Sequence, residues 1–255
     1  MKYIYTTIPV ELCTYALRNR KVNHMLLYVY LKHISSGHLR YDTSLYKIWA
    51  VDLDLSERTI RDCVKWLIRD KIITVNTKKS RIRVIGYKQL HKKLDFISFS
   101  AVRYEPDDFS GFYGFCCASV SCYYLRRKKF SDKKRRSESK MADSSKSRYS
   151  YPKGYYPFPI EYLAKCIDVS KSTANNYIRT AEAAGYITIK SQTSYLLDEK
   201  GNTIPANLMT TFKQNDKEYA KRLRVKKGQL VVIESNLILC HFSTLRKRFK
   251  YKEKL

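Results

Sequence analysis

Apolar residues in the stretch DLSERTIRDCVKWLIRDKII, residues 54–73, fall at Ile60, Val64, Leu67 and Ile68, spaced i, i+4, i+7 and i+8. That period puts them on one side of a helix and predicts a buried face. Ser56 stands in the N-cap position, where its side-chain oxygen can take up an unpartnered amide of the first turn. The helix is expected to end near Asp70. A shorter pattern over about residues 43–52, carried by Ile48, Trp49 and Ala50, predicts a helix just upstream across a brief polar break. Farther back, VNHMLLYVYLKHISS, from Val22, sets Met25, Leu26, Val29, Tyr30 and His33 along one side of another helix. Downstream, IITVNTKKSRIRVI alternates about a polar turn at residues 76–80. The period of two predicts a β-hairpin with Lys78, Lys79, Arg81 and Arg83 at its tip and outer face.

The pattern returns, without a gap, at an offset of 114 residues, Asp54 falling on Asp168. DVSKSTANNYIRTAEAAGYITI repeats Ser56 as Ser170, Thr59 as Thr173 and Ile73 as Ile187, and keeps apolar character at Val169, Ile178 and Ala181. Its predicted helices run over about residues 159–166 and from Ser170 to about Ala184. Gly185 supplies the left-handed residue that ends many helices. The expected first helix of this copy is the apolar segment at residues 112–125, because residues 136–149 are too polar to pack a core. A basic block then intervenes at about residues 126–157, with twelve Lys and Arg against three acidic residues between Arg126 and Lys153. It is expected to be a flexible loop, either a solubilising linker or a phosphate-gripping arm. The second hairpin is interrupted over about residues 186–241: ITIKSQTSYLL and QLVVIESNLILC are strands, and NDKEYAKRLRVKK between them a short basic helix. The expected organisation is therefore two domains, residues 1–95 and 96–255, each mainly α with a small β-hairpin, an α+β fold.

Charge narrows the partner. The chain carries 50 Lys and Arg against 23 Asp and Glu, +27 in 255 residues. Self-repulsion on that scale opposes compaction unless a polyanion is the usual partner. A content of 44% hydrophobic residues is too apolar for a wholly disordered basic protein. The seven cysteines form no Cys-x-x-Cys pair, so buried reduced thiols are expected rather than a zinc site, in a reducing, cytoplasmic setting. The start of the chain has no long apolar run of the secretory kind, and residues 109–125 are short and serine-containing for a membrane span.

Catalytic signatures are lacking. No glycine is followed by Lys and then Ser or Thr, the histidines are scattered, and Asp52 and Asp54 fall in the turn between helices, where Asp commonly caps. No enzyme activity, cofactor or metal is expected. A DNA-facing surface has better support. With Ile60, Val64 and Leu67 inward, Arg58 and Arg61 project where a guanidinium can bond guanine bidentately. Ser56 and Thr59 suit phosphate contact or capping, and Lys65 the backbone farther along. In the second copy Lys171, Ser172, Asn175, Asn176 and Arg179 take the corresponding face, with Lys190 on the following strand. Asn favours adenine, so the two copies are expected to prefer different bases.

LSERTIRDCVKWLIRDKII and VSKSTANNYIRTAEAAGYI resemble the turn and recognition helix of the winged helix-turn-helix superfamily. Two such units in one basic chain are similar to plasmid replication initiators and phage replication organisers. The resemblance implies double-stranded DNA as partner, binding to repeated origin sequences, and recruitment of host replication proteins without catalysis, as monomer or homodimer. A transcription regulator fits the same pattern. The competing readings are a protein-interaction scaffold that coats nucleic acid without sequence choice, and a peripheral membrane protein using residues 109–125.

Overall fold

The computed structural model describes residues 6–35, 37–105, 109–138, 152–198, 201–210, 223–241 and 245–246. The chain enters through β1 (Thr6–Pro9) and α1 (Val10–Arg18), then α2 (Val22–Ile34), β2 (His38–Arg40), α3 (Leu45–Asp52), α4 (Glu57–Arg69), β3 (Ile73–Asn76) and β4 (Arg81–Val84). After α5 (Tyr87–Lys93) and β5 (Ser100–Tyr104) come α6 (Phe112–Glu138), β6 (Tyr156–Pro157), α7 (Ile160–Ile167), α8 (Lys171–Ala183), β7 (Ile187–Tyr195), β8 (Leu223–Lys226), β9 (Gln229–Cys240) and β10 (Leu245–Arg246). The fold is mixed α+β.

The repeat in the sequence is a repeat in space. Helix, short strand, helix, helix and two further strands run as α2–β2–α3–α4–β3–β4 and again as α6–β6–α7–α8–β7–β9, with β8 inserted before β9 in the second unit. The sheet orders correspond as well: β2-β4-β3 and β6-β9-β7, antiparallel throughout, so each short strand lies against the last strand of its unit. Backbone details keep the same offset. Asp54 and Asp168 both adopt the left-handed conformation, at φ 51° and 56°. The amide of Leu55 donates to the Ala50 carbonyl at 2.9 Å, and that of Val169 to Ala164 at 3.1 Å. After the longer helix, Lys71 and Gly185 both have positive φ, and the amides of Ile72 and Tyr186 turn back to Leu67 and Ala181. An Asp can hold the left-handed region at small cost, and that residue sets the angle between the paired helices.

Packing crosses the point near residue 95 where the sequence divides. β1 pairs with β5, and β5 with β10, forming a third sheet from the start, middle and end of the chain. α1 lies against α6, and α6 lies in turn against α8. The buried apolar side chains of both units join in one continuous cluster. Helix α2 is buried all round from Met25 to Leu31, not along one side, because α1, α4, α6 and β4 surround it. The first half of α6 is buried for the same reason: Phe112, Phe115, Cys116, Ala118 and Val120 are each at most 2% exposed. Cys13, Cys63, Cys116, Cys117 and Cys122 are buried thiols, and burial pushes the Cys116 thiol well up, so it packs as a neutral apolar group.

Three further expectations need correction. Ile68 is 41% exposed, whereas Cys63 and Trp66 are buried. The core stripe of α4 is Ile60, Cys63, Val64 and Leu67, and Trp66 is drawn in from the side, under Lys21 and beside His24. The basic block does not begin as a loop. α6 continues through it to Glu138, since Lys and Arg are good helix formers and Lys128 pairs with Asp132 at 2.8 Å one turn on. Residues 156–157 form β6, and 139–151 lie outside the described residues. Finally, residues 223–226 of the proposed basic helix form a strand, β8, turned onto β9 through Lys227 and Gly228, both at positive φ as a tight two-residue hairpin requires. The preceding part, residues 215–222, is outside the described residues. No helix among the described residues is long and apolar enough to cross a membrane.

Gly114 brings α6 close against the C-terminal end of α8. A Cβ added there would sit 2.6 Å from the Cβ of Ala184, a contact that neither backbone can relieve by a side-chain rotation. Gly114→Ala should therefore lower stability to urea by about 1–3 kcal/mol. Adding Ala184→Gly should restore part of the loss. A stabilised single variant, as a helix glycine replaced by alanine would ordinarily give, would show that the close approach is not there.

Candidate nucleic-acid interface

Each longer helix of the repeated pair starts from the same cap. Ser56 and Ser170 have extended backbones, and their Oγ atoms accept from the amides of Thr59 and Thr173, both at 3.1 Å. The caps fix where each helix begins and point its first turn outward. A free helix N-terminus also carries partial positive charge, which favours an anion.

On α4 the outward face holds Arg58, Arg61 and Lys65, all exposed, with Asp62 beside them. Arg61 Nη2 lies 3.1 Å from Glu57 Oε2, both side chains largely in solvent, an arrangement worth little and readily exchanged for another partner. Thr59 is half-buried and shares a hydrogen bond with Ser56. On α8, Ser172 and Asn176 are exposed and Asn175 is half-buried. Lys171 meets Glu161 of α7 at 3.3 Å, and Arg179 meets Glu182 at 3.1 Å. Lys190, on β7, stands 4.7 Å above the Tyr155 ring.

The hairpin of the first unit carries its cations outward. Along β4, Arg81 and Arg83 are exposed while Ile82 and Val84 are buried. Lys78 and Lys79 are exposed in the turn, where the Lys79 amide donates to Asn76 Oδ1 at 3.0 Å. Register adds two residues that periodicity did not reveal: Arg40 lies directly opposite Arg81, and His38 opposite Arg83. Like charges facing across a ladder are unfavourable on their own. The signal that would have found Arg40 is the short strand before α3, too brief to stand out in the sequence.

The two longer helices meet at one place. Thr59, Asp62 and Cys63 of α4 and Thr173, Asn176 and Tyr177 of α8, equivalent position for position, line a single cleft of about 610 Å³. Between them lie Leu17, Arg20, Val22, Asn23 and His24 from the corner joining α1 to α2, with Tyr113 from α6. That corner touches both units. Tyr177 Oη donates to the Leu17 carbonyl at 3.2 Å, and Arg18 donates to Asp168 Oδ2 at 2.5 Å. On the other side, Lys21 Nζ lies 5.4 Å over the Trp66 ring and His24 meets the same ring edge-on at 4.9 Å. The separation of α4 and α8 is therefore set by a two-helix corner. Asp52 and Asp54, the acidic pair in the first turn, serve structure: Asp52 accepts from Tyr30 Oη, and Asp54 is the left-handed residue.

His24 is pushed down to about 4, first by burial and then by Lys21 and Arg69. The unfolded chain takes up that proton near the ordinary value of 6.5, so it binds more protons than the folded state between the two values. Stability is unaffected above about pH 6.5 and falls as pH drops towards 4. Urea unfolding at pH 7 and pH 5 should show a smaller loss in His24→Gln than in the parent; equal losses would assign the acid sensitivity elsewhere.

No protein-family model matches the chain, and neither a curated protein nor a solved structure matches it, so the site stands on its own geometry.

Proposed function

We propose that this protein is a non-catalytic, sequence-specific reader of double-stranded DNA, built from two winged helix-turn-helix units. The observation that carries the reading is the shared cleft: equivalent faces of α4 and α8, each beginning at a serine cap, border one groove. The charge supports the same reading, because a net +27 and cross-strand Arg40–Arg81 repulsion are relieved by a polyanion.

Arg58 and Arg61 are the proposed base-reading side chains of the first unit, and Ser172, Asn175 and Asn176 those of the second. Lys65, Lys78, Lys79, Arg81, Lys171, Arg179 and Lys190, with the helix caps, serve phosphates. Arg61 against Asn175 makes the two readers unlike, so the target is asymmetric, two unlike half-sites read by one chain. The contacts of the α1–α2 corner with both helices support a fixed distance between those half-sites. We further propose that the biological role is a plasmid- or phage-type replication initiator or a transcription regulator.

Selection of duplexes from a random pool should return asymmetric sites. On the selected site Arg61→Ala should lose about 1–3 kcal/mol of discrimination at one or two base pairs. Its affinity for unrelated duplex should change far less. Inserting five base pairs between the half-sites should reduce binding to the level of unrelated DNA. Competition by unrelated duplex as effective as the selected site would end the specific-reader proposal and favour non-specific coating.

A further inference from the structure

The basic half of α6 has no part in the interface above, yet it carries a surface of defined composition. Beyond Leu125 the helix leaves the core, and Phe130 is 67% exposed upon it. An α-helix places residues three and four apart on one face. For Phe130 those neighbours are Arg126, Arg127, Lys133 and Lys134, and all four are exposed cations. Tyr123, two turns earlier on this side, lies under the Arg127 guanidinium at 5.7 Å. The opposite side of the helix is the anchored one. Lys128 and Tyr156 both bond Asp132 there, at 2.8 and 2.9 Å, and Lys128 stands 5.7 Å over the Tyr162 ring. One side thus holds the arm to α7 and β6, and the other presents an aromatic ring enclosed by positive charge.

From this arrangement we infer that the α6 arm is a binding platform for single-stranded DNA, with Phe130 stacking on an unpaired base and the surrounding cations following the phosphates. The ring decides between ligands. A duplex keeps its base faces inside the stack, so a duplex phosphate contact would use the cations and leave Phe130 in water. An unpaired base offers a free face, and such stacking on an aromatic side chain is sequence-tolerant. A membrane-surface helix needs a broad apolar face, whereas Phe130 stands alone among cations. The platform rests on α6 alone; the choice of DNA over RNA rests on the duplex-reading proposal, since opened duplex supplies single strands beside the bound chain.

The test uses the full chain with fluorescent oligothymidylate, the selected duplex, oligouridylate, and vesicles of phosphatidylserine and phosphatidylcholine. Phe130→Ala should weaken oligothymidylate binding about 5- to 150-fold. Its affinity for the duplex should stay within about twofold. Phe130→Trp should retain binding and have its fluorescence quenched by oligothymidylate, above the response of the parent. Arg61→Ala should lose duplex discrimination and keep oligothymidylate binding, so that failure of the duplex proposal and failure of this one are seen separately. Unchanged oligothymidylate binding by Phe130→Ala would overturn the inference. So would an equal loss on the duplex, tighter binding of oligouridylate, or a loss confined to vesicles.

Discussion

The packing of α6 between α1 and α8 is the constraint on which the rest of the structure depends. It buries Cys116 against α1 and lets Gly114 approach Ala184 at the end of α8, closing the gap that would otherwise leave two units on a linker. Without it, the α1–α2 corner would touch only the first unit. With it, the corner reaches Tyr177 and Asp168 as well as Trp66, and the two longer helices hold one separation. For the proposed DNA reader the distinction matters: helices on a tether can adjust to variable spacing, whereas helices fused through a common core cannot. The side chains that make the difference lie far from the proposed DNA-facing residues.

Charge is distributed to match. The core is apolar and continuous, and none of the Lys and Arg whose burial is described lies inside it. Positive charge gathers on the outer face of the first hairpin, on the solvent side of α4, and along the second half of α6. At two of these places local structure accepts repulsion: Arg40 faces Arg81 across a ladder, and on α6 cations follow one another at helical spacing. These contacts cost stability in the free protein. A polyanion converts each of them into attraction, which is the physical link between the fold and the proposed ligand.

Much of this was legible in the sequence, and the reasons for the misses are specific. The serine caps, the helix ends at Asp70 and Ala184, the first hairpin and the 114-residue correspondence all follow from local rules, because capping and alternation are set by neighbours in the chain. The exposed placement of Arg58, Arg61 and Lys65 follows from the same periodicity. What escaped depends on distant partners. Trp66 sits outside the core stripe of α4 and is buried where Lys21 and His24 lie against its ring. β1, β5 and β10 are short strands that acquire meaning through one another. The basic run after Leu125 has the composition of a solvated loop, and its helical state follows from continuation of a buried helix and from Lys128 pairing with Asp132. The cleft combines residues more than a hundred positions apart, so no window along the chain could disclose it.

The repeat also separates what differs between the faces of α4 and α8 from the frame they share. Positions that set geometry are kept or replaced by equivalents: Ser56 and Ser170, Asp54 and Asp168, Leu67 and Ala181, Lys71 and Gly185. Thr59 and Thr173 are kept in the cleft, but other positions that face the cleft or lie beside it diverge, with Asp62 against Asn176 and Arg61 against Asn175. A carboxylate in the cleft accepts hydrogen bonds and repels phosphate, whereas an amide both accepts and donates. In the proposed complex, two identical faces in this frame would make the two ends of a site equivalent. Unlike faces would give the chain a direction along the duplex, and with it a defined side of the site for the α6 arm.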